Sequence, residues 1–175
     1  MNRGRTALQS AVLETTWGRI AIRAGRRGVA ACDLPRPSRC AALAPCRVQA
    51  VRLPRDSSVA LRQAVKFVVA VLAGRAPGPG LVLDKAVFVS APPFHRAVWR
   101  ALRRIPRGRM VSYAELARRA GHPRAARAAG GACGANPLPL FVPCHRVVAA
   151  QGGLGGFSSG LAWKAHLLGL EGTRR

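Results

Sequence analysis

The hydrophobic pattern changes part-way along the chain, and this change constrains the fold more than any other feature. Apolar residues alternate around Ile20 and Ile22, and residues 25–28 supply turn-forming glycines, a pattern typical of a β-hairpin. Beyond the Pro/Gly-rich stretch at residues 75–80, apolar residues recur mainly at helical spacing. We therefore expect an α+β protein, with a boundary near residue 90.

The first domain, residues 1–89, is predicted to be a small α/β unit containing an antiparallel hairpin sheet. Its one helix is "SSVALRQAVKFVVAVLAG", where Leu61, Val65 and Val68 share a face, Ser57 or Ser58 is the N-cap and Gly74 ends the helix. Residues 33–56 are rich in proline and show no clear pattern.

The second domain, residues 90–175, is predicted to be mainly helical. "FHRAVWRALRRI" places apolar residues from Phe94 to Ile105 on one face. In "VSYAELARRAG", Ser112 and Glu115 form a capping box, and the next helix begins with Pro123 in its first turn. Two helices joined by a short glycine-containing turn predict a helix-turn-helix. "SGLAWKAHLLGLEG" is predicted to be a final amphipathic helix.

The charge of the chain is strongly positive, with 29 Lys and Arg against 6 acidic residues and a formal net charge of +23. Such a charge attracts polyanions, and nucleic acid is the expected partner. The alternative is an arginine-rich composition spread over a solvated surface. The apolar run "FVVAVLAG" is too short to span a membrane, so no membrane segment is expected.

Five cysteines make an odd number, and charged residues such as Arg3, Arg5 and Glu14 interrupt any secretory leader. A reducing compartment is therefore expected rather than a disulfide framework. Cys133 is interpreted as a packing residue. The irregular spacing of Cys32, Cys40 and Cys46 makes a shared metal an unfavoured alternative, and no metal or cofactor is predicted.

The segment "PLFVPCHRVV" holds the best candidate nucleophile, Cys144, next to His145 and Arg146. Basic neighbours favour the reactive thiolate. In an extended segment, however, adjacent side chains point to opposite sides, so Cys144 and His145 need a turn after Pro143 or a bridging water to act together. The alternative is that Cys144 is a small buried hydrophobic residue.

The segment "RAARAAGGA" carries one arginine, Arg127, among very small residues. Small residues permit close approach to DNA, and an isolated arginine can enter a groove or stack. A major-groove reading helix would carry more side chains that contact base edges. The alternative is a helix that is tightly packed inside the protein.

Taken together, these motifs resemble the O6-alkylguanine-DNA alkyltransferases, also called methylated-DNA–protein-cysteine methyltransferases. P-C-H-R-V stands with V-S-Y, A-A-R-A, N-P and E-G over roughly residues 93–172; the first half resembles the family only in its hairpin and helix. The resemblance implies a ribonuclease-H-like first domain, a helix-turn-helix second domain, and a monomer bound to double-stranded DNA through the minor groove. It also implies a cytoplasmic, nucleoid-associated location in a prokaryote or a nuclear one in a eukaryote.

The resemblance further implies a single-turnover reaction in which Cys144 takes the alkyl group from guanine O6. His145 would be its base through a water, and Glu171 would orient His145. Tyr113 would contact the flipped guanine and protonate it as it leaves, while Asn136 would brace the turn before Cys144.

Arg127 would replace the extruded base in the DNA stack. The other residues implied to contact DNA are Arg124, Ala126, Ala128 and Gly130, and those implied to form the substrate pocket are Val147, Phe157, Ser158 and Ser159. Family members often have tyrosine at the position of Phe157 and glycine at that of Ser159. The added Ser159 side chain is expected to narrow the pocket against bulky alkyl groups.

Three other functions are compatible with parts of the sequence. A non-catalytic relative that only binds alkylated DNA would lack the acceptor cysteine, which is present here as Cys144. A helix-turn-helix transcription regulator would account for the charge and the paired helices. A cysteine hydrolase would need an oxyanion site, for which no motif is visible.

Overall fold

A four-stranded antiparallel sheet forms the first part of the molecule. The computed structural model describes residues 7–173, so Arg3, Arg5 and the outer ends of both predicted domains lie outside the described residues. The strands run in the order β3-β2-β1-β4. They are β1 (Gln9–Thr15), β2 (Gly18–Gly25), β3 (Gly28–Asp33) and β4 (Val48–Arg52).

Alternation of buried and exposed residues orients this sheet. Leu13, Ile20 and Ile22 are fully buried, whereas their strand neighbours Glu14 and Ala21 are only partly buried, as expected for strands with one solvated face. The hairpin was predicted, but β1 and β4 were not. Edge strand β4 has no fully buried residue, so its sequence carries little hydrophobic alternation. Gly28 (φ +124°) is required where β3 begins, because a Cβ there would lie 2.5 Å from the Val82 carbonyl oxygen.

Helix α1 (Val59–Leu72) covers the buried face of the sheet and matches its predicted position. Ser58 is its N-cap and accepts a hydrogen bond of 3.3 Å from Leu61 N. Gly74 follows its end in the left-handed region, with φ +71°. The short α2 (Lys85–Val89) then leads into the second half.

The second half is mainly helical, as predicted. Its elements are α3 (Pro93–Leu102), β5 (Val111–Ser112), α4 (Tyr113–Arg119), α5 (Ala126–Gly134), a 3₁₀ turn (Cys144–Arg146), β6 (Val147–Val148) and α6 (Leu161–Leu170). The two short strands β5 and β6 pair in parallel. The prediction that Pro123 begins the helix after α4 was wrong: His122 N bonds to Ala117 O and Ala125 N to His122 O, and this turn delays the start of α5 to Ala126.

One continuous core joins the sheet to the C-terminal helices. Trp17 of the sheet region meets Trp163 of α6 edge to face, with ring centroids 4.9 Å apart. The indole of Trp163 also donates a 2.7 Å hydrogen bond to Pro35 O. The α+β class is thus confirmed, while the division at residues 89 and 90 stays a prediction. Across residues 7–173, no helix has the length and apolar character needed to cross a bilayer.

Candidate active site

Cys144 begins a 3₁₀ turn, so the segment is not a straight extended strand at this point. Leu140, in the left-handed region with φ 73°, bends the chain shortly before it. Pro143 immediately precedes the turn, and Cys144 N bonds to Val142 O at 2.8 Å. Both Cys144 and His145 are buried, at 6% and 1% exposure. The sequence required either a turn after Pro143 or a bridging water if Cys144 and His145 are to act together, and the turn is present.

Asn136 connects the end of α5 to Cys144. Its amide nitrogen donates to Val142 O at 2.8 Å and to Cys144 Sγ at 3.3 Å. Its side-chain oxygen accepts from Leu138 N at 3.0 Å. Because both ends of the amide are occupied, Asn136 fixes the backbone turn and also supplies a hydrogen bond that favours a thiolate.

Glu171 is the point where several donors of the site converge. His145 Nε2 lies 3.0 Å from Glu171 Oε1, and Gly108 N donates to Glu171 Oε2 at 3.2 Å. Arg146 makes a bidentate contact with the same carboxylate, the shortest distance being 2.7 Å from Nη2 to Oε1. Arg146 also donates to Ile105 O at 2.7 Å. The role of Arg146 was not predicted from the sequence.

The charge states of this group follow from its contacts. Burial would raise the pKa of Glu171, but hydrogen bonds from His145 and Arg146 lower it to about 2. Burial lowers the pKa of His145, more than Glu171 raises it. At neutral pH, an ionised Glu171 therefore accepts a hydrogen bond from the Nε2–H of a neutral His145. His145 Nδ1 is left as an acceptor, and it is buried with no protein partner among the described residues.

Cys144 lies at the wall of a small cavity of about 110 Å³. The other lining residues are Tyr113, Gly130, Cys133, Gly134, Gly156, Phe157 and Ser158. A second depression, which contains Arg127 and Ala126, shares Tyr113, Gly130 and Gly156 with this cavity. The Arg127 end of α5 is thus contiguous with the thiol. Burial raises the pKa of Cys144, so the resting group is a thiol.

Cys133 is buried in the core, as predicted for a packing residue, and it is also a second thiol at the same cavity. Burial raises its pKa to about 12, with the neighbouring Cys144 adding to the shift. Hence Cys133 stays protonated. Cys144 differs from it because Asn136 donates a hydrogen bond to the Cys144 sulfur.

Lys164 is a buried cation that sequence reasoning missed. It is fully buried on α6, its Nζ donates to Gly156 O at 3.1 Å, and it lies 5.7 Å from the centre of the Tyr113 ring. Its charge lowers the pKa of Cys144, in opposition to burial. Lys164 lies four residues before the buried Leu168, so both residues share one helix face. This spacing was the signal in the sequence that Lys164 is buried.

The loop of residues 155–160 closes one side of the cavity. Arg36 donates to Ser158 O at 3.1 Å and Tyr113 to Gly156 O at 3.4 Å. Gly155 (φ +71°) is needed here, since a Cβ would lie 2.8 Å from the Tyr113 ring. Ser159 is buried on a different depression, next to Arg36. Its side chain does not line the small cavity, and the expectation that it disfavours bulky alkyl groups stays a prediction.

Val147 is also absent from the cavity wall, because it is fully buried in β6. Only its backbone is available for the role that the resemblance implies. Within residues 7–173, no three side chains from His, Cys, Asp or Glu lie together as metal ligands would.

The outer face of α5 consists of small residues and arginine. Arg127, Ala128, Gly131 and Gly134 are exposed, whereas Ala129 and Ala132 are buried. Arg124 is exposed in the turn before the helix, and Ala126 and Gly130 are partly exposed. In α4, Ser112 Oγ accepts from Glu115 N at 3.1 Å, but the Glu115 carboxylate pairs with Arg118 and Arg119. Only half of the predicted capping box therefore forms.

These features define an α+β protein in which a cysteine thiol, beside a buried His–Glu–Arg group, lines a small cavity next to an exposed helix of small residues. Comparison with known proteins gives a consistent result. Residues 93–173 match the family described as "6-O-methylguanine DNA methyltransferase, DNA binding domain". The structure resembles that of Mycobacterium tuberculosis OGT in complex with DNA, with a TM-score of 0.72 and 30% identity, covering 92% of this chain and 91% of that one.

Two curated relatives add to this comparison. The human methylated-DNA–protein-cysteine methyltransferase is 44% identical over 96 residues, which are 55% of this chain and 46% of that protein. The regulatory protein ada of Salmonella typhimurium is 37% identical over 169 residues, which are 96% of this chain and 46% of that protein. The chain thus spans about half the length of these curated relatives. It belongs to the 6-O-methylguanine DNA methyltransferase family.

Proposed function

We propose that the protein repairs DNA by moving an alkyl group from guanine O6 to Cys144, in a reaction that each molecule performs once. One observation carries this proposal: Cys144 lines the small cavity that is contiguous with the Arg127 end of α5. A thiol in that position is shielded from general reagents. It is nevertheless within reach of a group that enters from the helix surface.

The proposed chemistry is a single displacement. The Cys144 sulfur attacks the alkyl carbon, a carbon–sulfur bond forms, and the carbon–oxygen bond to guanine breaks. The thiol proton passes through a water to His145 Nδ1, the buried acceptor without a protein partner among the described residues, while Glu171 and its hydrogen bond stabilise the imidazolium. Tyr113 donates its hydroxyl proton to the guanine as it leaves. Solvent then reprotonates the Tyr113 oxygen, and the His145 imidazolium releases the thiol proton to solvent. The thioether product is not hydrolysed, so no turnover follows.

Asn136 and Lys164 would favour the thiolate when it forms. Asn136 donates to the sulfur, and the Lys164 ammonium lies close enough to lower the pKa of Cys144. Both groups are buried, so they keep their places without reorganising around the developing charge. The carbonyls of Cys144 and Val147 would accept from the guanine amino group, and Phe157 and Ser158 would enclose the base.

DNA recognition would use α4, the turn and α5 as a helix-turn-helix. The exposed face of α5 is flat because of Ala128, Gly131 and Gly134, and such a face fits closely in a minor groove. Guanine O6 lies on the major-groove edge, so a buried Cys144 on a protein bound in the minor groove reaches it only if the nucleotide is extruded. Arg127 would then occupy its place, and Arg124 would bind phosphate. We propose that a monomer acts on double-stranded DNA in this way.

The direct test mixes the protein with a duplex containing one O6-methylguanine and measures the mass of the intact protein. We expect an increase of one methyl group per molecule and no further increase with excess substrate. Cys144→Ala should lose the transfer but still bind the duplex, because the DNA contacts lie on α5. No mass increase in folded protein would contradict the proposal, as would transfer that persists in Cys144→Ala.

A further inference from the structure

Arg107 lies outside the cavity, yet its guanidinium joins the ends of two helices beside Glu171. Its Nη2 donates to Gly74 O at 2.6 Å and to Leu170 O at 2.6 Å, and its Nη1 donates to Arg75 O at 3.2 Å. Gly74 and Arg75 follow the end of α1, whereas Leu170 is the last residue of α6. One side chain therefore binds both halves of the molecule.

Elementary electrostatics favours this arrangement. The last carbonyls of a helix have no partner inside the helix and carry the negative end of its dipole. The planar guanidinium has five N–H donors and no acceptor, so it can serve several carbonyls at once. The two helix ends also touch, since a Cβ on Gly74 would lie 3.7 Å from Leu170 O.

The loop that carries Arg107 surrounds Glu171. Gly108, the next residue, donates its backbone N–H to the Glu171 carboxylate at 3.2 Å. Ile105, two residues earlier, accepts the 2.7 Å hydrogen bond from Arg146, which itself holds the same carboxylate. Arg107 fixes the peptide that immediately precedes Glu171. The position of this carboxylate thus depends on the 105–108 loop as much as on α6.

We propose that Arg107 is a positioning residue for Glu171. By fixing the end of α6 against the end of α1 and the 105–108 loop, it holds the Glu171 carboxylate where His145 Nε2 meets it. This inference rests on the proposed function, because it assigns Arg107 to the same reaction. It also gives the N-terminal half a part in the chemistry, through the carbonyls of Gly74 and Arg75.

The test compares Arg107→Met with Arg109→Met, which removes an exposed arginine from the same loop. The rate constant for methyl transfer is measured at saturating protein from about pH 5 to 9, together with the Kd for the duplex and the Tm. For Arg107→Met we expect a rate constant about tenfold lower, a fraction of what a general base contributes, with Kd changed less than about twofold. Arg109→Met should react like the unmodified protein.

The pH profile separates positioning from a general loss of structure. The charged groups around His145 are Glu171, which raises its pKa, and Arg146 and Lys164, which lower it. A weaker contact with Glu171 lets the pKa of His145 fall, so the low-pH limb of the Arg107→Met profile should move to lower pH. Arg107→Lys keeps the charge but cannot reach three carbonyls. Its rate constant and its low-pH limb should therefore lie between those of Arg107→Met and those of the unmodified protein.

Equal rates and profiles for the two methionine variants would overturn the inference. A slower rate with an unmoved low-pH limb would do the same, because it would show a structural role only. If Arg107→Met does not fold, Arg107→Lys is compared with Arg109→Met on the same criteria. Absence of transfer in the unmodified protein would instead contradict the proposed function.

Discussion

Glu171 shows how much of the site depends on one residue. Its side chain is only 3% exposed, and it is the acidic partner of both His145 and Arg146. A buried carboxylate is tolerated when its lone pairs are used by donors. Here the backbone N–H of Gly108 is a third donor to Glu171, besides His145 and Arg146. The same contacts that fix the proposed base therefore also bear on the stability of the fold.

Glu171→Gln should change the pH dependence of stability in a defined range. The folded-state pKa of Glu171 is lowered from 4.5 to about 2. Its stabilising effect is therefore complete above the unfolded-state pKa, and it is lost as the pH falls through the folded-state value. At neutral pH the variant should be less stable by about 3 kcal/mol, because Arg146 loses its buried partner. The difference should shrink as the pH falls from 4.5 towards about 2.

Chemical denaturation at a series of pH values measures this difference. Glu14→Gln, which removes a more exposed carboxylate on the sheet with side-chain exposure of 23%, is the control for losing one negative charge. A difference between Glu171→Gln and the unmodified protein that stays constant down to pH 2 would contradict the assigned charge state.

At the scale of elements, α5 has an exposed face of small residues and also lines the cavity that contains Cys144. The indole of Trp99 in α3 donates to Ala132 O at 2.8 Å and holds the inner side of α5. Gly130 lies on the boundary between the thiol cavity and the Arg127 depression. On the proposed function, Arg127 is therefore placed to act on DNA while the reacting base is in the cavity.

Arg127→Ala should slow methyl transfer from duplex DNA much more than from a single strand. Extruding a paired base costs a few kcal/mol, and a side chain that fills the vacancy offsets part of this cost. A loss of about 1.4 kcal/mol corresponds to a tenfold slower reaction. Single-turnover rates on matched duplex and single-stranded oligonucleotides give the comparison. Equal slowing on both would exclude a role in base extrusion.

The sequence predicted those elements whose signals are local. The hairpin at Ile20 and Ile22, helix α1 with its Ser58 cap, and the helical second half all followed from spacing and capping residues. Strand β4 was missed because an edge strand with both faces solvated has no apolar alternation. The start of α5 was misplaced at Pro123 because the turn after α4 is stabilised by contacts with α4 itself.

The parts of the site that depend on tertiary contacts were less predictable. Cys144 was a candidate from its basic neighbours, whereas Glu171 and the role of His145 came from the family resemblance. The structure brings His145 and Glu171 together and places Cys144 beside the cavity. The helical spacing places Lys164 on the face of Leu168, but nothing local shows that it packs against the Tyr113 ring or that Arg107 reaches α1. Such contacts depend on how distant helices pack, and a single sequence does not display them.

At the scale of the whole molecule, the positive charge is unevenly neutralised. Five of the six acidic residues pair with arginine, and among the described residues none of these pairs includes an arginine of the α3 region. Arg96 and Arg100 lie on the side of α3 away from its buried residues, and Arg103 and Arg104 directly follow the end of this helix. Like charges so placed repel one another, and a bound polyanion would relieve that repulsion.

Replacing Arg96, Arg100 and Arg103 by glutamine should weaken binding to undamaged duplex DNA and reduce its salt dependence. Removing one arginine–phosphate interaction lowers the slope of log K against log salt by about 0.9, so we expect a decrease of about 2 to 3. The matched control replaces Arg19, Arg23 and Arg52, which are paired with Glu14 or Asp33 on the sheet. If both triple variants change the slope equally, the effect belongs to net charge and not to the α3 surface.

The central claim is that Cys144 is the sulfur that accepts the methyl group. Cys133 lines the same cavity, so the measurement must distinguish between these two thiols. The measurement is peptide mapping by mass spectrometry after reaction with a duplex containing O6-methylguanine. We expect one methyl group, located entirely on the peptide that contains Cys144, and the same result for Cys133→Ala. A methyl group on Cys133, or an unmodified Cys144 in folded protein after complete exposure, would contradict the account.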